Sequence, residues 1–227
     1  MKYSIEMFIY KVKNRLLWLS SLIIQKVRST YCLLKRLCIH DKNISIIAND
    51  CIGGIIYHDL KLKFQSPTIN LFFDSSHDYI EYLSHIEYYS KKRPIEIHRD
   101  GIDYPIGEIL NGNKSIIIHF LHYHSFAEAE AKWVERGKRI NYKNIVVIWH
   151  VGNEVGPSNS DLKVFDSLDF SKKMLITGVK CNFTNKYICK LELYSDELYY
   201  PGKILEYKSR FSIFRYLDKT HYVRLLR

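Results

Sequence analysis

The chain has 227 residues, 47% of them hydrophobic and 26% charged, and its 34 Lys and Arg outnumber 24 Asp and Glu for a net charge of +10. That balance suits one compact domain with an appendage and excludes a disordered tail, a collagen-like fibre and a disulfide miniprotein. Five cysteines (Cys32, Cys38, Cys51, Cys181 and Cys189) form no C-x-x-C pair, so neither a disulfide framework nor a zinc site is signalled, and reduced thiols in a cytoplasmic setting are expected.

Residues 1–38 form a distinct arm. Lys2, Lys11, Lys13, Arg15, Lys26, Arg28, Lys35 and Arg36 stand against a single acid, Glu6, so the arm holds +7 of the charge and residues 39–227 only +3. Ile5, Phe8, Ile9, Val12, Leu16, Leu19, Ile23 and Val27 recur at helical spacing, which predicts a basic amphipathic helix. Its longest apolar run, residues 16–24, is broken by Ser20 and Ser21 and falls far short of the roughly 20 residues of a membrane span. Lys11, Lys13 and Arg15 interrupt any signal-peptide core, so the arm is expected to be retained. Such a stripe suits an anionic leaflet, the body of the domain or another subunit. Nucleic acid is not expected as a partner, because no zinc-finger or RRM signature accompanies the charge.

After the arm, strands and helices alternate. A β-branched strand at 44–48 breaks at Asn49-Asp50-Cys51-Ile52-Gly53-Gly54, and a helix follows over 55–60. A strand at 68–73 leads to a helix capped by Ser75 with Asp78 and running to about residue 90. Further strands are predicted at 95–98, around Ile109, and at 115–123, 144–151, 174–179 and 187–194. Ser125 and Glu128 form a capping box for a helix over 125–141, whose apolar face is Phe126, Ala129, Trp133, Gly137 and Ile140. Residues 152–160, with Pro157, read as a loop, and 195–227 follow no clear pattern. Continuous apolar strands such as 116–118 and 145–148, alternating with helices, predict an α/β fold: a three-layer, mostly parallel sheet with helices on both faces.

In such sheets ligands bind beyond the carboxyl ends of the strands, and three segments qualify. In the 49–54 loop, Gly53 and Gly54 let backbone approach a ligand and Asn49 and Asp50 offer polar contacts. Cys51 stands at a helix N-terminus, either as a nucleophile or as a small buried side chain. His119, His122 and His124 come next. Strand alternation puts His122 and His124 on one face and His119 on the other, where one could act as a general base. The third is the 125–141 helix. Lys132, Arg136 and Arg139 share a side next to Trp133 and could clamp donor phosphates, or Lys132 could simply pair with Glu128 on a solvated face. No metal site is expected.

The segments NDCIGG and IYHDL, then SPTINLFF with DYIEYL, then YPIG, then IHFLHYHSFAEAEAKWVERGKRIN and NIVVIW, resemble the bacterial family catalogued as domain of unknown function nineteen-nineteen. The resemblance spans residues 43–180 and is most specific over 119–141. The matching positions are Asn49, Cys51, Gly53, Gly54, Tyr57, Asp59 and Leu60 in the first part. In the second they are His119, Phe120, His122, Tyr123, Lys132, Trp133, Arg136, Arg139, Ile140 and Asn141. Asp50 stands where the family more often has Asn. The resemblance implies exopolysaccharide or capsule biosynthesis.

The expectation is a cytoplasmic transferase, peripheral on the inner face of the membrane through residues 1–38, that passes an acyl group to a sugar or lipid-linked saccharide. Cys51, His122 and His124 would be catalytic. Asn49, Asp50, Gly53, Gly54, His119, Tyr123, Lys132, Trp133, Arg136, Arg139 and Asn141 would bind substrate, with acyl-CoA or a nucleotide-sugar as donor. A nucleotide-sugar glycosyltransferase and a non-catalytic membrane-associated assembly component are the alternatives.

Overall fold

The computed structural model describes residues 2–151, 158–177 and 220–227. Cys181, Cys189 and the strand expected at 187–194 lie outside these residues, as do most of the 152–160 loop and of the 195–227 segment.

Three strands, β1 (Ser45–Ala48), β6 (Ile145–Val151) and β7 (Lys172–Thr177), form a parallel sheet in the order β1-β6-β7. Every residue of β6 is buried, as a central strand covered on both faces requires, and this is why its sequence is a continuous apolar run. On one face Ile46, Val146, Ile148, Met174 and Ile176 pack with helix α2 (Ile52–Asp59) and the short helix α7 (Tyr222–Leu226). On the other, Ile47, Val147, Trp149 and Leu175 pack with α3 (Ser76–Ser84), α5 (Phe126–Gly137) and α6 (Asn159–Ser167). The Tyr57 hydroxyl of α2 accepts from the Ile46 N–H at 2.8 Å and donates to Ile44 O at 3.1 Å, locking α2 to β1.

The α/β class holds, but among the described residues the parallel arrangement extends to these three strands alone. The other four, β2 (Phe72–Phe73), β3 (Ile95–Ile97), β4 (Ile106–Asn111) and β5 (Lys114–His119), form an antiparallel sheet in the order β2-β5-β4-β3. The cause is local. Asn111 pairs with Lys114, leaving a two-residue turn with Gly112 at φ +61°, and so short a connection permits only antiparallel pairing. Two other boundaries shift. The strand expected at 68–73 shrinks to Phe72–Phe73, because Ser66 and Thr68 bond to each other and Asn70 takes φ +61°. The helix expected to reach residue 90 breaks at His85 into α3 and α4 (Ile86–Lys91).

The arm is one helix, α1 (Lys2–Leu37). No helix among the described residues is long and apolar enough to cross a membrane. Its buried face is mixed: Ser21, Arg28 and Cys32 are buried, Leu17, Ile24 and Tyr31 on the same side are half-buried, and Arg28 donates to Asp59 of α2 at 2.6 Å. Lys35 lies over the Tyr222 ring at 4.8 Å. The apolar stripe, through Val12, Leu16, Leu19, Ile23 and Val27, is exposed. Packing of that stripe on this chain's own body, one of the expected arrangements, is therefore not what these residues do.

Helix α5 is held across α4 by close backbone approach. Trp133 donates from Nε1 to Lys92 O at 3.0 Å, and a Cβ at Gly137 would run into the Ser90 carbonyl oxygen. Alanine is the better helix former by about 1 kcal/mol, so Gly137→Ala separates the two effects. The backbone clash dominates, and urea denaturation is expected to show a net loss of about 2 kcal/mol.

Candidate active site

The site begins where β1 ends. Parallel register sets Ala48 against Ile148, so the residues two further along each strand, Asp50 and His150, meet at the carboxyl edge of the sheet. Asn49 continues the ladder with its side chain. Its Nδ2 donates to His150 O at 2.8 Å, and its Oδ1 accepts the His150 N–H at 2.7 Å. The Asn49 carbonyl accepts the Phe73 N–H, joining the loop to the second sheet. Beneath, the Tyr79 hydroxyl lies 3.1 Å from Ile47 O and 3.0 Å from Ile148 O, tying both strands where they leave the sheet.

Asp50 is buried, and both its oxygens are engaged. Oδ1 accepts the Ile52 N–H at 2.9 Å, which turns the chain into α2, and Oδ2 accepts from His150 Nδ1 at 2.6 Å. A carboxylate on Nδ1 leaves the proton there and the lone pair on Nε2. That Nε2 is buried with no hydrogen-bond partner among the described residues. The result is an oriented imidazole with its basic nitrogen unused, the arrangement of a general base.

Cys51 is the N-cap of α2, half-buried, and gives its side chain to no cap bond. Burial, and then the charge of Asp50, pushes its thiol up to about 12, so the thiol stays protonated at neutral pH. Gly53 and Gly54 are buried. Any Cβ there would press on the Ala48 side chain or on Asn70 Oδ1, so both glycines let α2 lie close against β1 and the 69–70 turn.

Tyr123 and Arg136 join this end of the molecule. Tyr123 donates to Ile69 O at 2.8 Å and accepts from Arg136 Nη1 at 2.7 Å, and the guanidinium lies over the Phe64 ring at 5.1 Å. Burial raises the Tyr123 hydroxyl, Arg136 offsets part of that rise, and Glu128 and Cys51 are both close enough to add to it. Arg136 is buried, and neither of these partners is an acid.

The other expected residues fall elsewhere. β5 stops at His119, so His122 and His124 sit exposed in the following turn and do not share a strand face. His119 is buried in a separate cluster at the edge of the antiparallel sheet. Its Nε2 is 2.7 Å from Asp74 Oδ1, Phe72 stacks on it at 4.4 Å, and Arg99 bonds the same carboxylate at 2.6 Å. Arg99 first, and His119 with it, hold Asp74 below the usual carboxylate range. Lys132 pairs with Glu135 at 3.2 Å rather than with Glu128, whose carboxylate accepts the His124 N–H instead. Arg139 also binds Glu135 and donates from Nη1 to Phe64 O at 3.4 Å, so Arg136 alone of the three basic residues is buried. Trp133 is a core residue. Asn141 bonds Asn43 O through Nδ2 at 2.6 Å and Ser45 Oγ through its N–H at 2.8 Å, closing the base of β1.

His150 is absent from the residues the sequence singles out. It ends an apolar run and has no polar neighbour in sequence, and only the parallel register brings it to Asp50. A protonated thiol beside a carboxylate has a chemical signature. At pH 8, Cys51 is expected to react with iodoacetamide at least about a hundredfold more slowly than an exposed cysteine, and Asp50→Asn should speed it; mass-spectrometric peptide mapping reads both.

The family model described as Domain of unknown function (DUF1919) matches residues 23–227. A protein of Haemophilus influenzae described as uncharacterized is 32% identical over 137 residues, which are 60% of this chain and 63% of that protein. The match thus spans less than two thirds of that relative's length. The chain belongs to the DUF1919 family of domains of unknown function.

Proposed function

We propose that the protein is a cytoplasmic transferase, acting beside the inner face of the membrane, that moves an acyl group from a coenzyme A thioester to a sugar hydroxyl of a surface-polysaccharide precursor. The observation that carries the transferase reading is the Asp50–His150 pair, with Nε2 buried and without a hydrogen-bond partner among the described residues. In the reaction, His150 Nε2 takes the proton of the sugar hydroxyl as its oxygen attacks the thioester carbonyl. The carbon–sulfur bond breaks, and the departing thiolate recovers the proton from His150. Asp50 steadies the imidazolium between the two transfers. The proton-transfer role therefore goes to His150, and Cys51, with its protonated thiol, lines the site. Arg136, held by Tyr123 and Phe64, offers positive charge to the donor's phosphates. The polysaccharide setting rests on the family resemblance.

Cells carrying His150→Ala or Asp50→Asn should lose surface-polysaccharide acylation about a hundredfold or more, at unchanged protein level. The purified chain should bind an acyl-CoA, and Arg136→Ala should weaken that binding. Unchanged acylation in both variants would overturn the catalytic assignment. Selective binding of a nucleotide-sugar would replace acyl transfer with glycosyl transfer.

A further inference from the structure

We infer that α1 is an interfacial membrane-binding helix that docks on its own domain by the side carrying Arg28 and Cys32 and lays its opposite, apolar stripe in the headgroup region of an anionic bilayer. The inference is independent of the catalytic assignment and needs no substrate.

Residues 21, 28, 32 and 35 follow one another at intervals of seven, four and three, so they share one side of the helix. That side meets the body. Ser21, Arg28 and Cys32 are buried, Arg28 is paired with Asp59, and Lys35 sits over Tyr222. Val12, Leu16, Leu19, Ile23 and Val27 lie on the opposite side. Leu16 is 61% exposed and Ile23 66%. The stripe runs on through Leu34, which is also exposed. An apolar strip of this length facing away from its own domain marks an interaction surface.

Charge selects the occupant. Lys11, Lys13, Arg15 and Lys26 are all exposed, with Lys13 on one flank of the stripe and Arg15 and Lys26 on the other. Glu6 is the one acid in the arm. A second copy of α1 laid on the stripe would bring like charges together along both flanks, whereas anionic lipid headgroups neutralise them. The helix is too polar to span, which leaves it in the plane of the interface.

The full chain is mixed with vesicles of phosphatidylcholine alone or with about 30% phosphatidylglycerol, followed by flotation. The expected result is flotation with the anionic vesicles only. The double variant Leu16→Glu, Ile23→Glu should reduce partitioning at least about tenfold. Lys13→Glu with Arg15→Glu should weaken it as well. All four positions are exposed, so thermal unfolding should match the parent chain. Equal flotation of the parent and the apolar variant overturns the inference, as does absence of flotation. A concentration-dependent dimer that the apolar variant abolishes, measured by light scattering, would instead assign the stripe to a second copy. The Asp50→Asn chain should float like the parent, so failure of the catalytic reading leaves this result untouched.

Discussion

The parallel pairing of β1 with β6 is the constraint on which the rest depends. These strands enter the sheet about a hundred residues apart in sequence, and their register alone decides what stands at the carboxyl edge. Asn49 prolongs the ladder by amide mimicry of a backbone, the Tyr79 hydroxyl ties the two exits, and Asp50 then finds His150. A slip of one residue would reverse the faces of β1 and part the carboxylate from the imidazole. The buried apolar residues of both faces hold that register, since each alternation along β1 and β6 sends a side chain into one core or the other.

Burial then sets the chemistry of each group. A carboxylate out of water is tolerated when its lone pairs are used, and Asp50 has the Ile52 N–H on one oxygen and His150 on the other. The neighbouring thiol has no such compensation, and the same desolvation keeps it neutral. Asp74 and His119 repeat the residue types of the site in a different setting. There the carboxylate is partly exposed and carries Arg99, a fixed cation, so the group is an ion-paired clamp on the edge of the antiparallel sheet. Residue identity does not separate the two pairs. Their surroundings do.

The arm inverts the usual arrangement of an amphipathic helix. Among the described residues its attachment includes the buried Arg28–Asp59 pair and Lys35 over Tyr222, while the apolar strip from Val12 to Val27, which the hydrophobic effect would favour burying, stays outside. The arm thus gives an uneven charge distribution a geometric meaning, because Lys13, Arg15 and Lys26 flank an outward apolar strip, whereas Arg28 and Lys35 face the body.

Local physics was legible in the sequence. The amphipathic arm, the buried strands β1 and β6, and the Ser125-capped helix follow from hydrophobic period and capping chemistry, which act over a few residues. The Asn49–Gly54 loop was legible as a candidate site because it follows a buried strand. The rest depended on distant residues. Two-residue closure at Gly112 made the second sheet antiparallel, and Ser158 with Asp161 capped α6 within what reads as the end of a loop. His150 gained a role only when register brought Asp50 to it. Hydrophobic periodicity states that a helix has an apolar face, but what that face meets depends on the shape and charge of the body. The sequence by itself determined that α1 is amphipathic and basic; only the tertiary structure, through Arg28 and Asp59, decided which side docks and left the apolar stripe outside.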